Sequence, residues 1–200
     1  MPLVLIAHPS VPAESLAELT RYLKERQPTF AYATTGSGTS NHLSMEVFKR
    51  LAGVNITHVP YKGGAQVMSD VIGGQVQSAL IALLLALPQI NTGKVKGLAI
   101  TGERRAPLLA NVPTFAESGF PAFPPGQWCG LFVPAGTPAA IVERIHASYE
   151  RAVRAPDVQA RFQALGAETV MNSPAAFTEF LRVEHSRIGR LVRENNIVAD

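Results

Sequence analysis

Apolar and polar positions alternate along the chain in two rhythms. Pro2 to Ala7 is a continuous apolar run closed by His8-Pro9-Ser10, the pattern of a strand buried on both faces. From Ser10 to Leu23 the apolar residues Leu16, Leu19, Tyr22 and Leu23 fall at helical spacing, which predicts a helix. The same alternation continues. Strands are predicted at Phe30 to Thr34, from Ile56 with Pro60 and Gly63 closing it, at Gln75 to Leu80 and at Gly97 to Thr101. Between them lie helices at Leu43 to Ala52, about Ala65 to Ile72, and Leu83 to Thr92 with Gly93 as a stop. Strand and helix in turn at this pace predict parallel βαβ units.

The pattern then changes. Arg104 to Pro125 carries Pro107, Pro113, Pro121, Pro124 and Pro125, which predicts a long structured connection. Gln127 to Val133 reads as a strand, and Pro134 to Pro138 as a turn with Thr137 capping the next helix. Helical segments follow at Ala139 to Arg154, Asp157 to Leu165 and Pro174 to Asn195, with a short strand expected within Gly166 to Ser173. The chain therefore reads as one α/β unit from about His8 to Gly126 with a mostly helical appendage. Trp128 and the stripes Ile141, Ile145, Tyr149 and Phe177, Phe180, Leu181, Ile188 are expected to be core, with Cys129 a buried small residue.

Composition narrows the function. Of the 200 residues 46% are hydrophobic and 16% charged, a globular balance. The net charge of +3 is mild and the basic residues are dispersed, so nucleic-acid binding has no footprint. A single cysteine can form neither an internal disulfide nor a zinc site without further ligands, and no cofactor is expected. The opening Met1 to His8 lacks a basic region and is too short for a signal, so no signal peptide is expected in this sequence. The longest internal apolar run, Ala79 to Leu87, spans about nine residues, whereas a membrane-spanning helix needs about 20.

Candidate chemistry concentrates in Thr34-Thr35-Gly36-Ser37-Gly38-Thr39-Ser40-Asn41-His42. A strand enters this loop and a helix leaves it. Such a junction exposes backbone N–H groups at the positive end of a helix dipole and suits an anion. Gly36 and Gly38 permit φ > 0 and close approach of a ligand, and the hydroxyls of Thr35, Ser37, Thr39 and Ser40 add donors. The alternative is an ordinary N-cap loop with Ser40 or Asn41 as cap. His42, on the first turn, either orients the loop by a hydrogen bond or packs the helix. Tyr61 either covers a ligand at the same sheet edge or fills the interior, and Lys62 either draws anions or is simply solvated. A serine hydrolase using Ser37 or Ser40 with His42 is disfavoured, because Gly36-Ser37-Gly38 does not have nucleophile-elbow spacing.

Motifs in order along nearly the whole chain support a resemblance. They include Pro9-Ser10-Val11-Pro12-Ala13, Tyr32 to Leu43, Leu51-Ala52-Gly53, His58-Val59-Pro60-Tyr61-Lys62-Gly63, Gly73-Gly74-Gln75-Val76, Ala110-Asn111-Val112-Pro113-Thr114, Glu117-Ser118-Gly119, Pro134-Ala135-Gly136-Thr137-Pro138 and Leu165-Gly166-Ala167-Glu168. Together they closely resemble Bug-type (TctC-like) receptors, the periplasmic substrate-binding proteins of tripartite tricarboxylate transporters. The resemblance implies a type II periplasmic-binding-protein-like α/β fold, with one complete α/β lobe plus the helical C-terminal part of the other. Residues 1–8 would be a crossover strand, 9–126 the substrate-binding lobe, and 127–200 a crossover strand with the helical part of the first lobe.

The resemblance also implies a binding protein and not an enzyme. Its ligand would be a small carboxylate held by Thr35, Gly36, Ser37, Gly38, Thr39, Ser40, His42 and Tyr61. Membrane subunits of a transporter would be further partners. Two departures from the family stand out. Its opening half-lobe, with a second glycine-rich loop, has no counterpart here, and Ile81 stands where members often carry an acidic residue. Exposed first-lobe helices would then favour self-association, and a truncated remnant that folds without binding ligand is the alternative function. The periplasm is the compartment the resemblance implies; the cytoplasm is expected if Met1 is the native start.

Overall fold

The structure is a computed structural model that describes all residues except 28, 122, 125, 195, 196 and 198–200. Pro125 and Asn195, which end two of the predicted segments, lie outside the described residues. Five strands form one sheet: β1 (Leu3–Ala7), β2 (Ala31–Thr34), β3 (Thr57–Pro60), β4 (Ser78–Ala82) and β5 (Lys96–Ile100). Their spatial order is β3-β2-β4-β1-β5. β2 pairs in parallel with β3 and β4, as the βαβ reading expects. β1 corrects that reading, because it runs antiparallel to both its neighbours, with Leu3 opposite Ala82 and Val4 opposite Ile100. An apolar run buried on two faces looks the same in either direction.

The helices are α1 (Leu16–Arg26), α2 (Ser40–Ala52), α3 (Gly64–Ile72), α4 (Leu83–Asn91), α5 (Ala139–Val153), α6 (Pro156–Ala164) and α7 (Pro174–Glu194). α1 begins later than its apolar spacing predicts. The Ser15 hydroxyl accepts from the Glu18 N–H at 3.2 Å and sets the first turn there. The period of two divides β1 between two cores. Leu3, Leu5 and Ala7 face α1 and α2, packing with Leu16, Leu19, Met45 and Phe48. Val4 and Ile6 face α3 and α4, packing with Val67, Val71, Leu83 and Ala86. The result is a helix–sheet–helix sandwich.

Beyond residue 126 the packing thins. Gln127 and Met1 exchange hydrogen bonds at 2.8 and 3.0 Å, yet 127–133 is not a strand, and neither is 166–173. Ladder pairing needs a neighbouring strand, and among the described residues no further strand lies beside either segment. Trp128 and Cys129 are exposed, contrary to the sequence reading. Trp128 instead stacks edge-on against Phe177 and Phe180 of α7 at 5.9 and 5.2 Å. α6 and α7 bury no residue fully, and α5 buries only Val153. Leu131 and Phe132 are 58% and 61% exposed. Among the described residues no helix is long and apolar enough to cross a membrane.

Candidate functional site

Because β2 and β3 are parallel, the loops that follow them, 35–39 and 61–63, open on the same edge of the sheet. The chain leaves β2 toward α2 on one face and leaves β3 toward α3 on the other. A sheet whose neighbouring strands send their connections to opposite faces has a switch point between them, where a crevice forms outside the carboxyl ends. The glycine loop and Tyr61 flank that point. The Tyr61 N–H donates to Thr34 O at 3.0 Å, and Tyr61 O stands 3.6 Å from where a Cβ on Gly36 would lie.

The loop is a turn held by its own polar groups. Gly36 and Gly38 adopt φ of 131° and 76°, which only glycine takes readily. The Thr39 hydroxyl donates to Gly36 O at 2.6 Å. Thr34 Oγ1 brackets Gly36, accepting from its N–H and donating to its carbonyl, both at 3.3 Å. Thr35 Oγ1 donates to Asn41 Oδ1 at 3.3 Å, and the buried Asn41 side chain donates to Leu80 O at 3.0 Å, tying the loop to β4. The hydroxyl protons of Thr35 and Thr39 thus serve the loop, where the sequence reading counted them as ligand donors.

Helix α2 starts one turn before its apolar spacing suggests, and its cap is Thr39 rather than Ser40 or Asn41. The Thr39 side chain makes no capping hydrogen bond to it. A helix's first amides find no acceptor inside the helix, so here a donor-rich end faces the switch point. Ser40 and Gly38 are exposed, and Ser37 lies between the two positive-φ glycines. His42 does orient the loop: its Nδ1 accepts from the Gly38 N–H at 3.0 Å. Lys62 is exposed.

Sequence reasoning missed the groups behind the loop. The His42 ring lies flat against His58 of β3, with centroids 4.0 Å apart and planes 8° from parallel, and His58 stacks in turn on Tyr32. His58 Nε2 is 2.7 Å from Thr34 Oγ1. The Tyr32 hydroxyl donates to Glu46 Oε1 at 2.5 Å, Lys49 donates to the same oxygen at 2.9 Å, and His42 Nε2 lies 3.8 Å from it. Burial, then Glu46, pushes the Tyr32 hydroxyl pKa far above its usual value. Burial also opposes the charge on Glu46, but hydrogen bonds from Lys49 and Tyr32 and the charge of Lys49 outweigh it and hold its pKa low. The Tyr61 hydroxyl donates to Asp70 at 2.7 Å, and partial burial with this carboxylate pushes its pKa up to about 12.

A depressed carboxylate pKa stabilises the fold above the unfolded-state value, and that contribution is lost as pH falls through the folded-state value. Glu46→Gln is therefore expected to flatten the acid limb of melting temperature against pH below about 4.5, the ordinary carboxylate value. An acid limb unchanged in this variant would show that Glu46 carries none of it.

Two hollows lie along α2. One, of about 440 Å³, is lined by Gln27, Lys49, Arg50, Gly53 and Asn55 at the helix's far end, away from the glycine loop. The other, about 30 Å³ and so of the size of a single water, separates Ser40, Leu43 and Ser44 from Glu184 and Arg187 of α7. Among the described residues no three His, Cys, Asp or Glu side chains form a metal site.

Fold and site define a lobe of the periplasmic binding protein class, with an anion-suited helix start at a sheet switch point. Residues 1–197 match the tripartite tricarboxylate transporter family receptor, and the chain belongs to that family, one of receptors and not of enzymes. It is 34% identical over its full length to a UPF0065 protein from the tcbD-tcbE intergenic region of Pseudomonas sp. (strain P51), covering 60% of it. It is 31% identical to Protein BugT of Bordetella pertussis over 97% of the chain and 60% of that protein. It thus spans about 60% of the length of these curated relatives. Among solved structures, R. palustris Rpa4515 with adipate superposes with TM-score 0.93 at 30% identity, covering all of this chain and 67% of that one. MatC from Rhodopseudomonas palustris with bound malate gives 0.89 at 32% identity, covering 96% of this chain and 66% of that one.

Proposed function

We propose that this chain captures a small carboxylate at the loop 35–42, as the solute-binding component of a tripartite tricarboxylate-type transporter working in the periplasm with membrane subunits. The observation that carries this reading is the donor-rich start of α2, which the Thr39 side chain leaves uncapped, set between two loops at the switch point of the sheet. In this reading the amides of Ser37, Gly38 and Ser40 and the hydroxyls of Ser37 and Ser40 hold one carboxylate, while the Gly36 and Thr39 amides stay bonded within the loop. Thr35 and His42 keep the loop in shape, and Tyr61 walls the crevice. Each hydrogen bond to a charged acceptor contributes about 1.5–3 kcal/mol, so three or four offset desolvation of one carboxylate. Adipate and malate, bound by two similar proteins, set the ligand class. Residues 9–126 then act as one lobe, with 1–8 and 127–200 belonging to the crossovers and the other lobe.

Isothermal titration of the chain with adipate, malate and citrate, against neutral adipamide, tests the reading. Saturable heat is expected for at least one acid and none for the amide. No binding of any acid by the folded chain would contradict it.

A second reading, a self-associating remnant that binds nothing, is favoured by the exposed Leu131, Phe132, Val170 and Val183. It calls for a mass that rises with concentration in sedimentation together with no response to any acid.

A further inference from the structure

His42 keeps the loop in shape in the reading above, but its stacking on His58 has no part there, and both rings hold the glycine loop by a ring nitrogen. His42 Nδ1 accepts the Gly38 N–H. His58 Nε2 meets Thr34 Oγ1, the hydroxyl that brackets Gly36. Each link joins a titratable ring to a glycine at positive φ.

The first link fixes a protonation state. A nitrogen that accepts an N–H carries no proton, so the bond from Gly38 requires His42 neutral with its proton on Nε2, the side 3.8 Å from Glu46. Protonation at Nδ1 turns the acceptor into a donor and breaks the bond, and the Gly38 N–H is then released. The ring that has gained the charge sits beneath the same loop. With centroids 4.0 Å apart, the two rings cannot both carry a charge without strong repulsion, so the pair takes up one proton before a second. The titratable and charged groups around the pair include Tyr32 from β2 and Glu46 and Lys49 from α2. Glu46, held ionised by Lys49 and Tyr32, is the counter-charge on the His42 side.

We infer that His42 and His58 are positioning residues whose proton is coupled to the ligand: a carboxylate arriving at Gly36–Ser40 draws the Gly38 N–H from His42, and the histidine pair takes up a proton as it binds. Two effects act in the same direction. The ligand's negative charge favours the charged imidazole, and removal of the Gly38 N–H leaves Nδ1 open to a proton. By linkage, carboxylate affinity rises as pH falls through the titration of the pair. The inference rests on the carboxylate reading of the loop.

The test uses the full chain in two steps. Without ligand, NMR titration between about pH 5 and 8, the range in which histidines titrate, should show the Gly38 amide moving with the same midpoint as the imidazole signals of His42. In His42→Asn that amide should lose its pH dependence, with circular dichroism unchanged. With adipate as the probe, the midpoint should rise, and calorimetry near neutral pH in buffers of different ionisation enthalpy should report net proton uptake. A rise of about one pH unit means about tenfold tighter binding below the midpoint than above it. His58→Asn should reduce the uptake while retaining binding. Binding of adipate without proton uptake in any buffer would overturn the coupling and leave the carboxylate reading intact. A Gly38 amide indifferent to the imidazole titration would overturn the positioning role. If the amide tracks the titration but no acid binds, the positioning stands and the ligand reading falls.

Discussion

Phe48→Ala is expected to cost the fold about 3–5 kcal/mol. Its ring is fully buried on α2 and packs against Phe115 and Phe120 at centroid distances of 6.3 and 5.5 Å. Alanine leaves a cavity between α2 and the sheet that neither rigid neighbour can fill. A domain of this size is stable by about 5–15 kcal/mol, so about a fifth or more of that margin goes. Because the same helix opens at the glycine loop, the variant should also loosen the site. Chemical denaturation measures the cost. Leu181→Ala on the half-buried face of α7 should cost far less. A loss below about 0.5 kcal/mol for Phe48→Ala, the size of an ordinary surface change, would show that this face is not packed as described.

The second large effect concerns Gly36. Its φ of 131° is one that side-chain-bearing residues rarely adopt. Space does not forbid alanine, since the nearest atoms to its Cβ, Tyr61 O and Thr39 Cγ2, would lie 3.6 and 3.7 Å away. Strain does, at about 1–3 kcal/mol. The loop is expected to relieve it by turning Gly36 out of the bracket formed by Thr34 and Thr39, which disperses the amides. Carboxylate affinity should then fall about tenfold or more, each 1.4 kcal/mol being a factor of ten. Gly136, with φ of 82° in the exposed turn before α5 and open space around its Cβ, is the control. Gly136→Ala should lose comparable stability and no affinity. Equal affinities for Gly36→Ala and the unaltered chain would separate the loop's geometry from binding.

How much of this was legible depended on what each residue's role rests on. Strands and helices up to Ile100 follow local periodicity, and periodicity is written along the chain. The direction of β1 is not, because Leu3 to Ala7 is equally apolar on either side whichever way its neighbours run. Gln127 to Val133 has the residue types of a strand, but a strand also needs a partner, and among the described residues only Gln127 finds one, in Met1. The position of Trp128 at the start of an expected strand predicts core, whereas its neighbours Phe177 and Phe180 lie on a helix that buries no residue fully.

At the site, the spacing of Gly36 and Gly38 marked the loop, since positive φ is a local demand. The sequence left His42 open between loop-orienting and packing roles. Its choice depends on Gly38 turning its N–H back by four residues. His58 could not be read at all: it arrives beside Thr34 only through the pairing of β2 with β3, from 24 residues away. Nor could the partner of Glu46 be read, because Tyr32 reaches it from the strand below.

The most direct test of the account is amide NMR of the folded chain during titration with adipate. Saturable shifts centred on Gly36 to Ser40, with smaller ones at Tyr61 and His42, are the result it predicts. Saturable shifts centred instead on the far end of α2, around Lys49 to Asn55, or no shift with any carboxylate, would contradict it.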